Sequence, residues 1–250
     1  MTDEPYFIDG ADRPSQWLVT CDHASNHVPH WINDGDLGLP RADMDRHIAY
    51  DVGAKGVALA LGQALNAPVV GSNFSRLVID PNRGADDPTL IMQLYDGTLI
   101  PANRGIDAAE RAKRIETLYE PYHAAYAELA ARRADTVILS VHSFTPQLQG
   151  KPIRPWEIGV LFAQDQRLTT PLIETLQSQT DYCVGINEPY RGYLPKDAID
   201  RHALQHNRLN ALIEIRNDLI VEESQQRAWA AQLAPILNEA LAKTTLSQGS

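Results

Sequence analysis

Short apolar runs rich in β-branched residues alternate along this chain with segments of helical period. The runs at Trp17–Asp22 (WLVTCD), Val69–Gly71, Leu77–Asp80, Thr136–His142 (TVILSVH), Ile158–Ala163 (IGVLFA), Tyr182–Ile186 and Ala211–Arg216 (ALIEIR) read as buried strands, because few polar positions interrupt them. Helical spacing predicts helices over Ala42–Leu65, Ile106–Arg132, Thr170–Gln179 and Ser224–Ala242, the last carrying Trp229, Leu233, Ile236, Leu237 and Leu241 on one face. Strands alternating with helices predict an α/β fold with a mostly parallel sheet covered on both faces. No repeat, low-complexity stretch or linker divides the sequence, so residues 1–250 are expected to form a single domain. Two Pro-rich irregular stretches, Asp80–Asn103 and Pro146–Pro155, are too rich in specific polar residues for spacers and are expected to shape a site.

Composition narrows the chemistry. With 250 residues the chain can bury its own core, and two cysteines cannot build a disulfide framework, a Cys-rich zinc site or an iron–sulfur cluster. Any metal must therefore lean on the eight histidines and on carboxylates. A formal charge of −10 works against binding a phosphate backbone, which excludes nucleic acid as the expected partner. The acidic N-terminus lacks a basic and an apolar region, and no segment approaches the roughly 18 apolar residues of a membrane span, so a cytoplasmic protein without a membrane partner is expected. Oligomeric state is not readable.

In open α/β sheets the ligand crevice lies outside the carboxyl ends of the strands, which singles out the polar residues that end each apolar run. His23 directly follows WLVTCD and His142 follows VILSV, so parallel strands would bring both imidazoles to one sheet edge. Either alone is as readily a loop histidine; together at strand ends they point to a metal pair. Zinc in a catalytic site usually takes three protein ligands and leaves one position open. Candidates for the third are Asn26, Asp45, His47 and Asp51. Asp51 is preferred; it and His47 stand four apart in MDRHIAYD, on one face of the predicted helix, though a surface helical pair has the same spacing.

Arg76 and Arg83 flank a run ending in Asp80, Pro81 and Asn82, where a guanidinium can grip an anionic substrate bidentately, although Asp-Pro-Asn is also a good turn. Asn82 and Asp80 are positioned to orient these arginines or to bond substrate. Glu214 is the strongest single candidate, because an ionised side chain interrupting an apolar strand is costly to bury without a metal or an Arg beside it. Next to a metal-activated water it would act as general base and then protonate the leaving amine. The loop NEPYRGYLPKDAIDRHA offers Tyr190 and His202 as substrate contacts or a pocket wall.

Taken in order, CDHASNHVP, HIAYDVGA, SRLVIDPNR, VHSFTP, RPWEIGVLF, NEPY and IEIRNDLI resemble the N-formylglutamate amidohydrolase family, over roughly Trp17 to Val221. The resemblance implies a three-layer α/β/α fold with a mixed sheet of about eight strands, like the zinc carboxypeptidases and aspartoacylases. It also implies a Zn2+ cofactor on His23 and His142, Glu214 as catalytic base, Arg76 at the oxyanion, and Arg83 with Asn82 on the substrate carboxylate. The family's His-x-x-Glu pair reads His23-x-x-Asn26 here, which leaves the third ligand open. The activity implied is hydrolysis of a small anionic N-formyl or N-acyl amino acid to an acid and a free amino acid. Two readings compete with it: a non-catalytic binding protein for anionic metabolites, and a carboxypeptidase-like peptidase or amidase.

Overall fold

The computed structural model describes residues 3–247. Its strands are β1 (Tyr6–Asp9), β2 (Trp17–Cys21), β3 (Val69–Ser72), β4 (Leu94–Tyr95), β5 (Thr98–Leu99), β6 (Val137–Phe144), β7 (Ile158–Leu161), β8 (Val184–Ile186) and β9 (Asn210–Arg216). The α-helices are α1 (Arg41–Met44), α2 (Ala54–Ala64), α3 (Ala108–Arg114), α4 (Glu120–Ala131), α5 (Thr169–Gln179), α6 (Ala198–His202) and α7 (Glu223–Ser247). Seven strands form one sheet in the order β1-β3-β2-β6-β9-β7-β8, while β4 and β5 make a separate ribbon. The run β3-β2-β6-β9 is parallel, β7 turns antiparallel against β9, β8 follows β7 in parallel, and β1 closes the other edge antiparallel to β3. The sheet is thus mixed and mostly parallel, with seven strands rather than about eight.

The strand period of two sorts side chains between two cores. Trp17, Val19 and Cys21 of β2 and Val137, Leu139 and Val141 of β6 pack on one side with α2, α5 and α7. Leu18 and Ile138 face the opposite core, built on Tyr119, Tyr122, Tyr126 and Leu129 of the long helix and on Ala198 and Ile199 of α6. The polar site residues of β6 and β9 belong to this second face, because His142 continues the register of Ile138 and pairs with Glu214.

Three expectations are corrected. Leu77–Asp80 is buried but is no strand. Its backbone is satisfied locally instead: Val78 N–H donates to the Ser75 carbonyl, Asn103 Nδ2 to the Leu77 carbonyl and Arg114 Nη1 to the Val78 carbonyl. An apolar run with such partners needs no sheet ladder. The segment expected as one helix over Ala42–Leu65 breaks between α1 and α2. There the Asp51 N–H donates to the His23 carbonyl at 2.9 Å, and Gly53 takes a φ of +79° with the Ile220 carbonyl pressed against it. His47 and Asp51 therefore do not share a helix face. The helix expected over Ile106–Arg132 is present but carries a π turn at Ile115–Tyr119 joining α3 to α4.

Candidate active site

Parallel β2 and β6 bring His23, two residues past the end of β2, beside His142, which lies within β6 rather than after it. The two rings sit edge to face with centroids 4.9 Å apart. Asp51 enters between them from the break that ends the α1 region. Its Oδ2 lies 2.8 Å from His142 Nδ1 and 3.3 Å from His23 Nδ1, and it accepts the Ser143 N–H at 3.2 Å.

The opposite nitrogens are held as tightly. His23 Nε2 is 2.7 Å from Asp80 Oδ1, and His142 Nε2 is 3.1 Å from Asp22 Oδ2. Asp22 also accepts the Tyr122 hydroxyl from α4 at 2.6 Å. Asp80 accepts Arg76 Nη2 at 2.8 Å and the Asn82 N–H at 2.9 Å, while Arg76 Nη1 stands 3.6 Å from Asp51 Oδ1. Both Nδ1 atoms thus converge on one carboxylate oxygen, and each Nε2 is fixed by a carboxylate of its own. Carboxylates behind ligating imidazoles set ring orientation and raise ligand basicity in metal sites.

Burial alone would raise the carboxyl pKa values, yet Asp22, Asp51 and Asp80 all lie below the usual carboxylate range. His142 outweighs burial at Asp22, the two imidazoles do so at Asp51, and Arg76 with His23 do so at Asp80. Burial pulls His142 down, but its hydrogen bonds to Asp22 and Asp51 lift it well above the ordinary imidazole range.

Glu214 differs from these three acids. It is 6% exposed, its Oε2 has no hydrogen-bond partner, and burial, reinforced by the Asp51 charge, pushes its pKa up to about 7 against the opposing pull of His142. Register makes it the neighbour of His142 on one side and of Gly159 on the other. His23, Asp51, His142, Ser143 and Glu214 line one cavity of about 400 Å3, with Asp22 and Asp80 behind it.

Arg76, Arg83, Asn82 and Tyr190 line the same cavity. Arg83 Nη1 donates to the Asn82 carbonyl at 3.3 Å, and no carboxylate among the described residues lies within ion-pair reach of its guanidinium. The Asn82 side chain is engaged in structure, its Oδ1 accepting the Ala198 N–H at 3.3 Å. Arg154 Nη1 donates to the Tyr190 hydroxyl at 3.2 Å and the guanidinium lies over its ring. His202 is not in the cavity. It stacks on Tyr126, and its Nε2 lies 2.8 Å from His123 Nδ1 in the α4 core, because α6 turns that face inward. Asn26 is likewise elsewhere, donating to the Met44 carbonyl and toward Asp45. His47 lines the cavity but stands beside Asp96. Asp22 and Asp197 were not singled out from the sequence. Asp22 directly precedes His23 and carries the same strand-end signal; Asp197 sits in a loop with no such marker.

Among the described residues, His23, Asp51 and His142 form a group whose ligand atoms lie within 4.8 Å of one another. Two imidazoles and one carboxylate, beside a cavity, form a donor set that can hold a metal ion.

A family model for N-formylglutamate amidohydrolases matches residues 15–221. The chain belongs to the N-formylglutamate amidohydrolase family. A gene product of Agrobacterium tumefaciens of known structure is 35% identical, with a TM-score of 0.90 and 96% of each chain covered. The N-formylglutamate amidohydrolase from Ralstonia eutropha JMP134 shares the fold at 22% identity, with a TM-score of 0.68, covering 99% of this chain and 100% of that one. A bacteriophage poly-gamma-glutamate hydrolase superposes with a TM-score of 0.50 at 10% identity, over 97% of this chain and 91% of that one. No curated protein matches the sequence. Membership in the N-formylglutamate amidohydrolase family assigns amide hydrolysis as the class of chemistry. No helix among the described residues is long and apolar enough to cross a membrane.

Proposed function

We propose that the protein hydrolyses the amide of a small N-formyl or N-acyl amino acid, with zinc held by His23 Nδ1, His142 Nδ1 and Asp51. The observation that carries this reading is the convergence of both Nδ1 atoms on Asp51 Oδ2, with Asp80 and Asp22 behind the rings. When bound, zinc supplies Lewis-acid chemistry, lowering the pKa of water and polarising an acyl oxygen.

Glu214 supplies the proton transfers. Its unpartnered Oε2 takes a proton as water oxygen attacks the acyl carbon, and returns it to the amide nitrogen as the C–N bond breaks. The products are a carboxylic acid and a free amino acid. Arg83, without an acidic partner, holds the substrate carboxylate as a charge-assisted pair. Arg76 is committed to Asp80 and stands near Asp51, so its part is to fix these two carboxylates and balance their charge rather than to meet the oxyanion. Tyr190 lines the same cavity as Glu214.

Because Asp51 supplies the carboxylate that His23-x-x-Asn26 lacks, the catalytic reading is favoured over a binding protein. Glu214→Gln tests it: zinc content measured by mass spectrometry should equal that of the wild type, while kcat on N-formyl amino acids should fall by about 100-fold or more. Unchanged turnover with zinc retained would contradict the role of Glu214.

A further inference from the structure

With Arg76 committed to Asp80 and Asp51, the acyl oxygen of the substrate, which gains charge in the transition state, still lacks a hydrogen-bond donor from this chain. Tyr190 lines the cavity together with Glu214 and the two histidines, whereas its partner Arg154 does not. Arg154 Nη1 donates to the Tyr190 hydroxyl at 3.2 Å and to the Thr145 carbonyl at 3.0 Å, and the Arg154 N–H donates to the Pro146 carbonyl at 2.8 Å. The guanidinium carbon stands 4.9 Å from the centre of the Tyr190 ring and 5.7 Å from that of Phe144, the last residue of β6. One side chain thus ties the loop between β8 and α6 to the end of the strand that carries His142.

A guanidinium only donates, so the phenol oxygen is the acceptor in this bond and keeps its own hydrogen for another partner. No acceptor for that hydrogen is found among the described residues. Burial, reinforced by the charge of Glu214, pushes the Tyr190 pKa up and keeps the phenol protonated. A cation bonded to the phenol oxygen draws charge from the O–H and makes it a stronger donor. Tyr95, the other tyrosine of the lining, has Arg76 over its ring but no donor on its hydroxyl among the described residues.

We infer that Tyr190 donates a hydrogen bond to the acyl oxygen of the substrate, most strongly as charge develops there, and that Arg154 is the positioning residue that aims and polarises it. The phenol keeps its proton throughout, and the proton transfers remain with Glu214. The inference rests on the hydrolytic function proposed above and deepens it. Removing one oxyanion donor costs about 100-fold or more in kcat, which sets the size of the expected effect.

The test compares the zinc-loaded wild type with Tyr190→Phe, Arg154→Met, Arg154→Lys and the double variant Tyr190→Phe with Arg154→Met on N-formyl amino acids, circular dichroism checking the fold. Tyr190→Phe should lower kcat by about 100-fold with a much smaller change in KM, the pattern of a contact that counts in the transition state. Arg154→Met should lower kcat by about tenfold or more and Arg154→Lys by less, while the double variant should be no slower than Tyr190→Phe alone, because Arg154 acts through the hydroxyl. A kcat for Tyr190→Phe within about threefold of the wild type overturns the inference, and losses that multiply in the double variant overturn the positioning role of Arg154. A second readout needs no turnover: NMR of tyrosine labelled at the ζ-carbon in the zinc-loaded Glu214→Gln protein, with Tyr190→Phe identifying the Tyr190 signal. Saturating N-formyl-L-glutamate should shift that signal, and an unmoved signal overturns the donor role. If the signal shifts but the wild type hydrolyses no N-acyl amino acid, the hydrogen bond stands and the hydrolytic function fails.

Discussion

The outer nitrogens of His23 and His142 differ from most buried imidazole nitrogens in meeting carboxylates that are themselves anchored, Asp80 by Arg76 and Asp22 by Tyr122. If those carboxylates orient metal-ligating rings, Asp22→Asn should weaken zinc binding by about 10- to 100-fold while the protein remains folded. Zinc competition with a chromophoric chelator measures the change, and circular dichroism checks the fold. Identical zinc affinity in wild type and variant would assign Asp22 to packing alone. Glu214, His23, His142 and Arg83 were legible from the sequence because each ends or interrupts an apolar run. Asp51 is the preferred one of four candidates in the sequence, but the reason given there, a helix face shared with His47, fails, since its placement depends on a backbone break that no hydrophobic period encodes. His202 misled for a related reason: a polar residue in a long loop looks available, but α6 carries it into the α4 core.

At the level of elements, Gly159 of β7 stands across from Glu214 of β9 and leaves room for the Glu188 backbone against the sheet. A Cβ at Gly159 would come within 2.1 Å of the Glu188 carbonyl oxygen, and that backbone belongs to the segment leading to Tyr190. Gly159→Ala should therefore push the Glu188–Tyr190 segment away from the sheet, costing about 1 to 3 kcal/mol as an overpacked contact. Thermal denaturation should show a lowered Tm and steady-state kinetics a lowered kcat/KM; an unchanged Tm would mean that the loop yields freely. Six of the seven runs read as strands are strands, because buried parallel strands advertise themselves as continuous apolar stretches. Leu77–Asp80 has the same composition and is buried for the same reason. Its backbone partners come from Ser75, Asn103 and Arg114, two of them distant in sequence, and a local pattern cannot register them.

Over the whole molecule, the core between α4 and α6 holds a second buried imidazole pair that bears on stability rather than chemistry. Burial lowers the His202 pKa to about 3, and His123 is likewise held well below the usual range by burial and by His202. The folded-state values lie below the unfolded value of about 6.5, so the unfolded chain binds more protons as pH falls. The contribution of these residues is therefore present above pH 6.5 and is lost progressively toward about pH 3. Asp197 and Glu214, raised by burial to about 6 and about 7, act in the opposite sense, so the comparison of variant with wild type isolates the histidine effect. Urea unfolding between pH 6.5 and 5 should show His202→Gln with a pH dependence shallower by about 1.4 kcal/mol per pH unit, the value of one proton. Parallel curves would contradict this.

The net charge of −10 gives an anionic substrate no general attraction, so capture falls to the cavity arginines and to the centre between the two histidines. The existence and ligation of that centre are read most directly by anomalous X-ray scattering at the zinc edge from crystals of the zinc-loaded protein. The account predicts one strong peak bonded to His23 Nδ1, His142 Nδ1 and the Asp51 carboxylate at about 2.0 to 2.2 Å. No peak between the histidines, or a peak there without Asp51 as a ligand, would contradict it.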